Sequence, residues 1–109
     1  KSRVYDAKYG FCQFFNRDKY IEGGLENEHF IAYGYEDNER WYRFNTMGYN
    51  VGRLDAFVYH LEHARTANSW FTNPYIDQNK NLYEKINQMN GGELKEYYSN
   101  LDYVKLRTR

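Results

Sequence analysis

The sequence predicts an α+β fold: a small antiparallel sheet of about three or four strands packed against two or three helices in a single domain. Three observations lead there. Aromatic-rich runs at residues 3–15, 29–36 and 40–47 have the composition of strands, residues 51–67 repeat apolar side chains at helical spacing, and Asn73 with Pro74 marks a second helix start. The 109 residues suffice for one core of modest size and are too few for two domains.

Residues 3–15 place Tyr5, Ala7, Tyr9 and Phe11 alternately with Asp6, Lys8 and Gly10, a period of two that favours a strand with a bend at Gly10. Residues 16–27 are interrupted by Gly23 and Gly24 and read as a loop containing a short helical turn. Residues 29–36 and 40–47 are joined by Asp37, Asn38 and Glu39, and turn residues between aromatic runs predict a β-hairpin.

The clearest period belongs to residues 51–67. Val51, Leu54, Val58 and Leu61 form one stripe that Phe57 and Ala64 widen, with Asn50 as N-cap. His60 and His63 fall on the other side. Residues 69–72 make an aromatic connector. A helix then follows Asn73 and Pro74, carrying Leu82, Ile86 and Met89 on one face and stopping at Asn90 and two glycines. A shorter helix at 93–100 groups Leu94, Tyr97 and Tyr98 with Leu101, and the alternation at 103–107 suggests a closing strand.

Composition narrows the function classes. Lysine and arginine balance aspartate and glutamate at fifteen each, so no global field draws the chain to nucleic acid or to an anionic membrane. No apolar run approaches the roughly 18 residues of a membrane span, and residue 1 is not followed by a signal-like apolar region. The single cysteine, Cys12, rules out an internal disulfide or a zinc site built from several thiolates and fits a reducing, cytoplasmic setting. Its neighbours Phe11, Phe14 and Phe15 predict a buried, inert thiol.

Thirteen tyrosines, seven phenylalanines and two tryptophans make a fifth of the chain aromatic. Most of those rings are needed for the core. The excess points to recognition, because Tyr, Trp and Arg anchor protein interfaces and rings also stack on unpaired bases. Charge is segregated too: residues 22–39 contain six acids and no lysine or arginine.

The expected function is therefore binding to another protein, as an interaction or inhibitor module. Low proline, abundant asparagine and short length fit a phage or mobile-element accessory protein acting on a host enzyme. The expected contact residues are Tyr33, Tyr35, Glu36, Asp37, Glu39, Arg40, Trp41, Arg43 and Trp70. The alternative is binding or metal-independent cleavage of RNA or single-stranded nucleic acid, with His60 or His63 as general base and Arg53 and Arg65 stabilising a phosphorane-like transition state. Residues 8–14, KYGFCQF, are similar to the aromatic RNA-binding strand of the RRM fold, but Tyr9 stands where that motif has glycine. No metal or other cofactor is expected: HLEH at residues 60–63 lacks the i, i+4 histidine spacing of a metalloprotease helix, and neither glycine pair forms a phosphate loop.

Overall fold

The structure, a computed structural model, describes residues 12–54 and 73–107. Within them the chain forms five helices and no β-strand: α1 (Arg17–Glu22), α2 (Glu36–Thr46), α3 (Ile76–Asn87), α4 (Gly91–Ser99) and α5 (Asp102–Arg107). The described part is thus all-helical, and the α+β expectation is overturned. No helix among the described residues is long and apolar enough to cross a membrane.

The short turn expected in 16–27 is α1. Asn16 caps it by accepting from the Lys19 amide at 3.1 Å. Gly24, at φ +98°, reverses the chain in a Schellman turn, in which the Leu25 amide donates to the Tyr20 carbonyl and the Gly24 amide to the Ile21 carbonyl. A side chain at Gly24 would meet Tyr98 Cβ at 2.8 Å, so glycine also permits the close seating of α1 against α4.

The largest correction is α2, which replaces the hairpin. Asp37 and Glu39, expected in its turn, lie with Glu36 in the first helical turn, where carboxylates favour the positive end of the helix dipole. Of its three buried residues, Glu39, Arg43 and Phe44, the pair spaced i, i+4 is charged, so a single ring is all the apolar signature the inward side carries. The N-cap is Tyr35 in the left-handed conformation with no side-chain cap, so the usual start signal is missing as well. The helix ends in a second Schellman turn at Gly48, in which the Tyr49 amide donates to the Phe44 carbonyl and the two rings pack 5.4 Å apart.

Gly48 and Tyr49 therefore close α2 instead of leading into a helix at 51. Residues 51–54 are irregular and Leu54 is 80% exposed, contrary to the expected buried stripe. The remainder of that stripe, from residue 55 on, lies outside the described residues, as do residues 3–11 of the first expected strand. Residues 12–15 have no regular structure.

The second half of the chain follows expectation more closely. Leu82, Ile86 and Met89 of α3 and its C-terminal extension meet Leu94, Tyr97 and Tyr98 of α4, with Phe30, Tyr42 and Met47 against them. Each fully buried aliphatic side chain contributes about 1.5–3 kcal/mol of gross stabilisation. Asn90 and Glu93 form a reciprocal capping box at the start of α4. The Tyr42 hydroxyl shares its one proton between the carbonyls of Asn87 and Met89, at 2.9 and 2.8 Å, tying α2 to the end of α3. The expected closing strand is instead α5, because Leu101 and Val104, three residues apart, both face the core.

Candidate functional site

The aromatic and acidic residues singled out in the sequence converge on α2 and the loop before it, residues 31–35. That loop is held open by two asparagines from the start of α3. Asn79 acts as a one-residue strand partner: its carboxamide oxygen accepts from the Ile31 amide at 3.0 Å while its nitrogen donates to the Ile31 carbonyl at 2.8 Å. Asn73 donates to the carbonyls of Ile31 and Tyr33, each at 2.9 Å. Both asparagines are buried, and the carboxamide oxygen and nitrogen of each are satisfied by neighbouring backbone. Asn73 also accepts from the Tyr75 amide, setting the turn that precedes α3.

The backbone so held is strained. Ala32 (φ +57°) and Tyr35 (φ +71°) occupy the left-handed region alongside Gly34, at a cost of about 1–3 kcal/mol for each non-glycine residue. The Gly34 amide is satisfied by the Glu36 carboxylate at 2.9 Å, and the Tyr35 ring stacks on Tyr83 at 5.5 Å. Ile31 and Tyr75 stay exposed.

Beside α2 runs a cleft of about 290 Å³ lined by Cys12, Gln13, Phe15, Glu26, Asp37 and Arg40. The Arg40 guanidinium pairs with both Glu26 and Asp37 and donates through Nε to Gln13 at 3.0 Å. Tyr20 donates its hydroxyl to Glu26; burial, and then the neighbouring carboxylate, raises that hydroxyl's pKa and keeps it protonated. Cys12 is exposed at this cleft, not buried as its phenylalanine neighbours suggest. Phe14 is 84% exposed.

One turn further along α2, Arg43 is fully buried. Its Nη1 donates to the Gly23 carbonyl at 2.8 Å and its Nη2 to Glu39 at 3.1 Å, while the guanidinium lies 4.0 Å from the Tyr98 ring centroid and 5.1 Å from that of Phe44. Arg43 Nε stands 2.9 Å from the other Glu39 oxygen but out of line for a hydrogen bond, so that contact is purely electrostatic. Burial raises the Glu39 pKa, against the opposing pull of the Arg43 charge. Asn27 completes the knot by donating to the Tyr98 hydroxyl at 3.1 Å.

The expected contact residues thus divide. Trp41 is partly exposed on α2; Tyr33, Tyr35, Glu36, Asp37 and Arg40 are half-buried around the loop and cleft; Glu39 and Arg43 lie inside the fold. Arg53 is exposed in the irregular segment after α2, whereas Trp70, His60, His63 and Arg65 lie outside the described residues. Among the described residues, no group of three or more His, Cys, Asp or Glu side chains is arranged to hold a metal.

Sequence reasoning missed Asn79 and Asn27, and read Asn73 as a helix cap, whereas Tyr75 occupies the N-cap of α3 and Asn73 pins the loop. Asn79 had a legible signal: it precedes Leu82 and Ile86 on the inward face of α3, and a polar residue on an apolar stripe needs a buried partner. Comparison with protein-family models, with curated proteins and with solved structures returns no match for this chain.

Proposed function

We propose that the chain is a protein-binding module whose contact surface is the pinned loop 31–35 and the outward edge of α2. The observation that carries this reading is the use of two buried asparagines to hold a strained loop while Ile31 and Tyr75 remain exposed. A loop needed only to connect α1 to α2 would relax toward ordinary backbone angles, and strain that the surroundings over-determine is characteristic of recognition sites. Trp41 and Asp37, one helical turn apart, extend the surface with the residue types common at interface anchors and rims.

A protein is favoured over nucleic acid because both arginines of α2 are already neutralised by carboxylates and offer no free charge to phosphate. The test is site-specific photocrosslinking of the full chain in lysate of its source cells. A photoreactive residue at Ile31 or Trp41 should give a discrete adduct that excess unlabelled chain competes away, whereas the same residue at Lys105 on α5 should give none. The same adducts from all three positions, or no competition at any of them, would refute the reading.

A further inference from the structure

At the other end of α2 a second groove, of about 390 Å³, opens between α1, the α2 C-terminus, α4 and α5. Ile21, Met47, Tyr98 and Val104 supply its apolar lining, and Glu22 and Lys95 stand at its edges on α1 and α4. The volume is that of sites which take up one or two side chains or a small ligand. Met47 adds an adaptable wall, since its unbranched thioether repacks around different shapes.

The charges indicate what fits. Glu22 and Lys95 are both exposed, and no ion pair joins them. Glu22 receives a long 3.4 Å contact from the Tyr49 hydroxyl, and of the two bases on its own helix Arg17 is engaged with Asp18 while Lys19 lies over the Tyr49 ring, 5.9 Å from its centroid. An anion on one wall and a cation on the other, separated by an apolar floor, match a ligand with the reverse arrangement. We infer that this groove seats a short segment of a partner protein in which an apolar side chain lies between an acidic residue, directed to Lys95, and a basic residue, directed to Glu22. The apolar side chain supplies the burial, and the two flanking charges select the segment and set its direction.

The inference does not rest on the loop at the other end of α2 and is tested separately. The probe is the peptide acetyl-Glu-Ala-Leu-Ala-Arg-amide, titrated into the isotopically labelled full chain while the amide resonances of Gly24, Lys95 and Ser99 are followed. Saturable shifts confined to the groove are expected. Replacing the peptide's Leu by Ser should abolish them, and Lys95→Glu should weaken binding at least fivefold. That variant should instead prefer acetyl-Lys-Ala-Leu-Ala-Arg-amide, a rescue that loss of folding would not produce. Lys95 is exposed, and an unchanged circular dichroism spectrum checks that its substitution leaves the fold intact. Groove resonances that do not move at millimolar peptide, equal binding of the Ser peptide, or an unaltered preference in Lys95→Glu would overturn the proposal. A response to decanoate with none to the peptide would also overturn it, and would assign the groove to amphiphiles.

Discussion

Arg40 and Arg43 lie three residues apart on the same helix and each is paired with carboxylate, yet they do opposite work. Arg40 sits in an open cleft where its partners Glu26 and Asp37 keep contact with water, and its side chain is 16% exposed. Arg43 is wholly enclosed, flanked by two aromatic rings and bonded to Glu39 and to the Gly23 carbonyl. Water screens the first set of charges and can replace any member of it, but nothing replaces a member of the second. Similar side chains on one helix therefore divide into an adaptable surface group and an internal tie that joins α2, the end of α1 and α4.

Removing one partner of the buried pair should have the largest effect. Arg43→Ala leaves the buried Glu39 carboxyl without its counter-charge and should cost about 3–5 kcal/mol in chemical denaturation. A double replacement, Arg43→Met with Glu39→Leu, removes both charges while keeping volume and should come within about 1 kcal/mol of the parent. A double variant as damaged as the single one would mean that the Gly23 bond and ring packing, not charge compensation, hold this region together.

The same pair makes a pH prediction. Burial already raises the Glu39 pKa in the folded chain, and deleting Arg43 removes the charge that opposes the rise. A carboxyl that holds its proton more tightly folded than unfolded favours the fold at low pH, and that contribution is lost as pH rises through the raised value. The defect of Arg43→Met should accordingly be smaller at pH 5 than at pH 8, measured by urea denaturation at both. A defect independent of pH would show that Glu39 finds another partner when Arg43 is gone.

Asn79→Ala gives the comparison a neutral reference. It leaves the Ile31 amide without its partner and weakens the hold on the Ile31 carbonyl, with no net charge involved. The expected loss is about 1–3 kcal/mol, below that of Arg43→Ala. Hydrogen exchange should accelerate at the Ile31 amide, whereas the α4 core amides should be affected only through the global change in stability. If the loss equals that of Arg43→Ala, the charge on Arg43 is not what makes its site costly to disturb.

What could be read from the chain follows the same division. α3 and α4 were legible because their signals are apolar: Leu82, Ile86 and Met89 repeat at helical spacing, and Leu94, Tyr97 and Tyr98 group on one face, although Asn90, read as a helix stop, turned out to be the N-cap of an α4 that begins at Gly91. α2 was hidden because Glu39 and Arg43, which with Phe44 are its buried residues, read as surface until their pairing is known, and because Tyr35 is no capping residue. In α5 six residues are too few to separate a period of two from one of three or four, and the contact of Leu101 and Val104 with the core decides between them. Tyr33, Tyr35 and Trp41 were singled out from residue type alone. The asparagines that pin the loop act across more than forty positions of sequence, a relation that no local pattern displays.

The smallest effect should come from the other arginine. Arg40→Gln leaves Glu26 and Asp37 in contact with solvent, and Tyr20 continues to donate to Glu26. Side-chain exposures of 44% and 35% for the two carboxylates mean that water takes over much of what the guanidinium provides, so stability should change by about 0–1 kcal/mol. The change should shrink further in 0.5 M salt, because the lost pairing is screened. The cleft, by contrast, becomes more negative by one charge, and photocrosslinking from Trp41 should respond to that change if Asp37 and Arg40 belong to the contact surface. A loss of 3 kcal/mol or more would place Arg40 with Arg43 as an internal tie and would remove the distinction between the two ends of this ion-paired face.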